Sequence, residues 1–244
     1  MMSKIKYCWF SGFCFTSIVL SFASAPVYSA INLNGTRYIY GQNDSEVTVQ
    51  VHNVGNNPVL LQNWIDDGHM DVMPEKVHVP FFITPPLTRL EGMHGQTLRI
   101  TYTGDALPKD KESVFWLNVL EIPPLDKSAK NQLNVAFRNR VKLFWRPATL
   151  KEGVDDAPKQ LTWHANGDVL DLDNPTAYFI SLTGIKLNYD GHSTVVAGKM
   201  IAPSEIQHYS FSQLTKNKTP SDMSVEIIYI NDYGTQIVQK IDNK

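Results

Sequence analysis

Cysteine is almost missing from this chain. The two cysteines among its 244 residues, Cys8 and Cys14, both lie in the opening apolar stretch. If that stretch is removed, no disulfide is available, and the remaining chain has to be stable through its core alone. An excess of positive charge is missing too, with 22 Lys+Arg against 24 Asp+Glu, which argues against nucleic acid as a partner. Long hydrophobic runs are confined to Tyr7–Phe22. That run falls short of the roughly 20 residues a membrane span needs, and Ser11, Gly12, Thr16 and Ser17 dilute it. With Lys4 and Lys6 before it and Ala23, Ser24, Ala25, Ser29 and Ala30 after it, the layout is that of a secretory leader. Residues 1–29 are therefore expected to be removed. Cleavage after Ser29, with Val27 and Ser29 in the small-residue positions, is preferred over cleavage after Ala25. The mature product is expected to be soluble and exported, with no membrane anchor.

Enzymatic constellations are missing as well. There is no Gly-x-Ser-x-Gly elbow, no phosphate-cradling glycine loop and no His-Glu-x-x-His. The nearest metal-like cluster is Asp66, Asp67, His69 and Asp71 with Met70 and Met73. Its spacing matches no known loop, and acidic residues around Gly68 read as a solvated turn. No metal, cofactor or catalytic residue is expected.

What is there is β pattern almost throughout. Val47, Val49 and Val51 alternate with polar residues, as do Leu98 and Ile100, and then Val114 and Trp116. Later, Tyr178–Leu182 and Val225–Ile230 are β-branched or aromatic runs. Asn166-Gly167 and Asp190-Gly191 are hairpin signals, and Thr84-Pro85-Pro86 marks a break where a cis peptide fits. No helical period exceeds two turns. Short alternating strands punctuated by turns predict an all-β fold of sandwich type. After Arg146-Pro147 the chain turns polar, which predicts two domains, 30–148 and 159–244, joined by a linker over 149–158.

One segment is unusual. Asn131–Trp145 (NQLNVAFRNRVKLFW) has neither glycine nor proline, and as a strand it exceeds the usual five or six residues. Leu133, Val135 and Phe137 alternate on one face, and Arg138, Arg140, Lys142 and Arg146 follow. Two readings stand. It is a central strand with an ordinary core face, or an edge whose purpose is pairing, since exposed apolar edges are otherwise a hazard.

Several strings, in order, resemble the PapD-type fimbrial chaperone family. Asn34-Gly35-Thr36-Arg37-Tyr38-Ile39-Tyr40 is similar to its first strand. Phe81-Phe82-Ile83-Thr84-Pro85-Pro86 with Arg89-Leu90-Glu91 is similar to its mid-domain signature. Glu112–Val119 through Glu121-Ile122-Pro123-Pro124 resembles its most specific string, and Val141–Pro147 the end of its first domain. Asn174-Pro175-Thr176 and Ile230-Asn231-Asp232-Tyr233-Gly234 resemble marks of the second.

The resemblance implies two immunoglobulin-like β-sandwiches set as a boomerang with a cleft between them. It implies a periplasmic chaperone of the chaperone–usher pathway, not an enzyme. Such a chaperone holds pilin subunits by lending a strand and delivers them to an outer-membrane usher; an exposed apolar edge also favours self-association, so a self-capping homodimer of the free protein is a further expectation. On that basis Leu133, Val135 and Phe137 are donor residues, Arg37 and Lys142 anchor the pilin's C-terminal carboxylate, and Glu112, Arg146 and Asp232 form inter-domain ion pairs. The short loop Leu125–Lys130 resembles the short-loop branch of the family. The rival reading is a pilus subunit or a glycan-binding adhesin, also secreted and β-rich, but expected to carry a disulfide and a single incomplete sandwich.

Overall fold

The computed structural model describes residues 30–125, 133–150, 153–189, 191–211 and 223–244. The leader, most of the 125–130 loop, and Asn131 and Gln132 lie outside the described residues. The first domain comprises β1 (Ile31–Leu33), β2 (Arg37–Gly41), β3 (Val47–Asn53), β4 (Val59–Asp66), β5 (Phe81–Thr84), β6 (Leu87–Leu90), β7 (Gly95–Tyr102), β8 (Ser113–Ile122) and β9 (Phe137–Arg146). Alternation becomes burial, because successive side chains of a strand point to opposite faces. Val49 and Val51 of β3 and Leu98 and Ile100 of β7 are fully buried, while Thr48, His52, Arg99 and Thr101 face solvent.

These strands form two sheets, ordered β1-β3-β7-β5 and β2-β9-β8-β4-β6, closed on one apolar core. The chain changes sheets between β5 and β6 at the expected break, where the Thr84–Pro85 peptide is cis. In β8 the core-facing set is Phe115, Leu117 and Val119, rather than Val114 and Trp116. β8 is interior to its sheet, between β9 and β4, and its outer face also carries large side chains, with Trp116 under the Arg140 guanidinium.

The second domain comprises β10 (Thr162–Asn166), β11 (Val169–Asp173), β12 (Ile180–Tyr189), β13 (His192–Ala197), β14 (Met200–Ile201), β15 (Ile206–Ser210), β16 (Ser224–Ile230) and β17 (Gln236–Asn243). Its path runs β13-β12-β16-β17-β10-β11-β15, with β14 beside β12. Leu170 and Leu172 of β11, Ile185 and Leu187 of β12, and Val225 and Ile227 of β16 meet in one core, which makes this unit a sandwich too. The hairpin signals fall at the β10–β11 and β12–β13 reversals, with Gly167 and Gly191 at positive φ.

Between the domains, Leu150 packs on the second core and its carbonyl accepts a 2.5 Å bond from the Tyr178 hydroxyl. Ala157 is fully buried in the same core. The expected linker is therefore held against the second domain at both ends. Helix among the described residues is limited to short 3-10 turns, none long and apolar enough to cross a membrane.

Candidate functional site

The long strand is shorter than its sequence suggests. β9 begins at Phe137, and Leu133–Ala136 precede it with no strand partner among the described residues. The alternation at Leu133 and Val135 is real, but alternation forms a ladder only where a neighbour supplies hydrogen bonds. β9 pairs with β8 over Phe137–Trp145, from Glu121↔Phe137 to Ser113↔Trp145. On its other side β2 covers only Lys142–Arg146. Phe137–Val141 therefore present a free edge among the described residues.

Parity decides where that edge points. Val141, Leu143 and Trp145 face the first core, so Phe137 lies on the same side of β9, and Val135 and Leu133 precede the strand at the same spacing of two. Leu133 is 86% exposed and Val135 42%.

The opposite face carries the cations. Arg37 and Lys142 lie in register across the parallel β2–β9 pair. Arg37 Nη1 donates to Ile230 O at 2.7 Å and Lys142 Nζ to Ser181 Oγ at 2.9 Å, so both reach the second domain. Arg37 Nε is buried with no hydrogen-bond partner among the described residues. Burial lowers the pKa of Arg37, opposed by Asp232. Burial, aided by the nearby Arg37 charge, lowers that of Lys142 to about 8. Two desolvated cations side by side, with no ion-paired carboxylate among the described residues, make a site electrostatically short of one anion. Beside them a pocket of about 140 Å³ is lined by Arg37, Phe144, Phe179, Ser181 and Ile230, and also by Glu112, Asp155 and Asp232.

Glu112, Arg146 and Asp232 come together. Arg146 donates from Nε to Glu112 Oε1 at 2.7 Å and from Nη1 to Asp232 Oδ2 at 2.8 Å. Glu112, with 2% side-chain exposure, also accepts from the Phe179 amide at 3.0 Å. Burial raises the Glu112 pKa, opposed chiefly by Arg146. For Arg146, burial works against the charge, but Asp232 and Glu112 outweigh it and raise its pKa.

Two turns position the set. Asn174, fully buried, donates to Tyr178 O and Ala202 O, both at 2.8 Å, bracing the loop that offers the Phe179 amide. Asn231 Oδ1 accepts from the Tyr233 and Thr235 amides and shapes the turn that carries Asp232. Gly234 in that turn has φ +80, and a Cβ there would meet Thr36 Oγ1 of the first domain at 2.8 Å. Glycine meets both demands without strain.

Sequence reasoning missed a third cluster. Asp66, expected in a solvated turn, is 2% exposed. It accepts from Arg140 Nη2 at 2.6 Å, from Asn118 Nδ2 at 2.7 Å and from the Gly68 amide at 2.7 Å. Burial opposes its ionisation, but these bonds win and lower its pKa. Arg140 also lies 4.1 Å above the Trp116 ring. Asp67 and His69 do pair in an exposed turn, at 2.8 Å. The signal available was a basic residue at an even position of β9, but its partner is 74 residues away.

An open strand edge beside an anion-deficient cleft between two sandwiches defines a polypeptide-binding protein of immunoglobulin-like class. Residues 30–151 match the family described as pili and flagellar-assembly chaperone, PapD N-terminal domain, and residues 156–240 match the pili assembly chaperone PapD C-terminal domain. The chain belongs to this family of pilus chaperones. It is similar to the chaperone protein MrkB of Klebsiella pneumoniae, 39% identical over 95% of this chain and 97% of that one. Among solved structures, the YadV chaperone superposes with a TM-score of 0.74 at 39% identity, covering 87% of this chain and 98% of that one. The SafB chaperone, solved in complex with the SafA pilin of Salmonella enterica, superposes with a TM-score of 0.72 at 26% identity, covering 88% and 97%. The chain is a chaperone of fimbrial assembly and not an enzyme, and the reading as a subunit or adhesin is set aside.

Proposed function

We propose that the chain captures pilin subunits in the periplasm by completing their unfinished sandwiches with Leu133–Val141. Strand addition at an open edge is an established mode of recognition, and chaperone–pilin pairing is one of its recognised instances. The observation that carries the reading is the half-covered β9: β8 pairs with Phe137–Trp145, while β2 pairs only with Lys142–Arg146. The free edge supplies main-chain hydrogen bonds. Leu133, Val135 and Phe137, spaced by two, enter one groove of the client, each contributing roughly 1.5–3 kcal/mol on burial. Arg37 and Lys142 bind the client's C-terminal carboxylate, Arg37 through two nitrogens and Lys142 as a point charge. The likeness to SafB, solved with its pilin, supports this assignment.

The Glu112–Arg146–Asp232 bridge holds the domains at the angle that shapes the cleft. Residues 30–148 carry the donor strand, 149–158 the connection and 159–244 the second half of the cleft. An outer-membrane usher receives the loaded chaperone. In the absence of client, the same apolar edge pairs with a second copy. The protein reaches the periplasm by a cleavable leader over residues 1–29.

Purification from periplasm during co-expression with candidate pilins tests the reading. A stoichiometric pilin should elute with the chaperone, whereas elution alone with every pilin of the producing strain overturns it.

A further inference from the structure

Over Phe137–Val141, β9 is bonded only on its β8 side among the described residues. A strand held from one side opens locally more easily than one held from both. Two side chains of this stretch stand on the cleft face, Arg138 and Arg140, and both are tied to the turn that follows β4. Arg140 grips Asp66 through two nitrogens, Nη2 to Oδ1 at 2.6 Å and Nε to Oδ2 at 3.2 Å. Arg138 Nη1 donates to Met70 O at 3.1 Å.

These ties pass over the intervening strand. Asp66 stands in register with Trp116 of β8, and Arg140 with Asn118. Asn118 Nδ2 donates to Asp66 Oδ2 at 2.7 Å and to Trp116 O at 3.1 Å, and the Arg140 guanidinium lies 4.1 Å above the Trp116 ring. Lys142 Nζ lies 5.7 Å from the same ring, so one indole serves both Arg140 and the proposed anchor. The side chains of Arg140 and Asp66 are 14% and 2% exposed. A pair this buried adds little net stability over apolar side chains of the same volume. What it supplies is geometry, because a planar fork that is stacked and doubly bonded has one orientation.

We propose that Asp66, Trp116 and Arg140 are positioning residues for client capture, a strap across three strands that keeps the open half of β9 extended before a client arrives. This deepens the strand-lending reading and rests on it. A client that has to order the edge itself binds more weakly, in proportion to the fraction of time the edge is ordered. The strap removes that loss in advance.

The double variant Asp66→Leu with Arg140→Met removes the strap and leaves apolar side chains in its place. Its Tm should stay within about 3 °C of wild type, since replacing a buried pair in this way is often neutral. Amide hydrogen exchange of the free protein should quicken by about 10-fold or more over Phe137–Val141 and stay unchanged in β3 and β7. Pilin affinity should fall by about the same factor. Wild-type exchange over that stretch, or wild-type affinity, overturns the proposal. Exchange that rises equally in every strand also overturns it, because the pair then serves general stability. Should the double variant fail to fold, Arg140→Lys decides by the same two readouts, as it keeps the charge and loses the fork and the stacked plane. Failure of the wild-type chain to capture any pilin overturns the strand-lending reading and this proposal with it, whereas wild-type capture that both variants retain in full overturns the proposal alone.

Discussion

Lys142 donates its hydrogen bond to a neutral hydroxyl, Ser181 Oγ at 2.9 Å, while Arg37 stands opposite it in register. With a cation as neighbour and a serine as partner, its ammonium is held in a site that disfavours its own charge.

Client affinity should therefore depend on pH. A bound carboxylate favours the ammonium form, so the complex retains a proton that free Lys142 loses near pH 8. Affinity should be level below that value and fall as pH rises through it, while Lys142→Arg should flatten the profile. The sign for folding is the reverse. The folded pKa lies below the unfolded one, so the penalty is fully present below about 8 and is relieved as pH rises towards 10.5. Pilin-binding titrations from pH 6.5 upwards would check the first point, and a profile with no drop above pH 8 would take Lys142 out of the anchor.

Arg37→Ala should leave the fold intact and weaken client capture by about 10- to 100-fold, the worth of charge-assisted hydrogen bonds. Pilin recovery from periplasm, measured beside thermal unfolding, separates capture from stability. Recovery equal to wild type counts against the assignment.

Val135→Ala and Leu133→Ala should each spare the free protein, since these side chains are exposed. Each should cost up to about 10-fold or more in pilin affinity, from the apolar burial forgone. A loss of Tm without a loss of affinity would place them in the chaperone's own core.

Arg146→Ala should destabilise strongly. It strands the Glu112 carboxylate, which has 2% side-chain exposure, and breaking one member of a buried pair costs about 3–5 kcal/mol. Thermal unfolding indistinguishable from wild type would contradict the buried bridge.

Patterns of local origin were legible in the sequence. Valines two apart marked β3, Asn166-Gly167 marked a hairpin, and Thr84-Pro85-Pro86 marked the crossing between sheets. The start of β9 was not, because Leu133 and Val135 alternate as strand residues do, yet pairing depends on a neighbour that the free chain does not supply. Arg37 and Lys142 were placed by resemblance, and their joint position follows from a parallel pairing of residues distant in sequence. Ser181, Phe179 and Ile230 were invisible because they act across the domain boundary, as was Asp66, whose acidic neighbours suggested a surface turn while Arg140 buried it.

The five residues of β2 have a mechanical consequence. β2 runs parallel to β9 and occupies its edge from Lys142 onward, so a guest strand travelling the same way meets Arg37 as a buffer stop. A polypeptide that continued past that point would collide with β2, and one that finished short would leave the two cations unanswered. If Arg37 and Lys142 anchor the guest as proposed, the groove measures where its guest ends and selects a free chain terminus over an internal loop of the same composition.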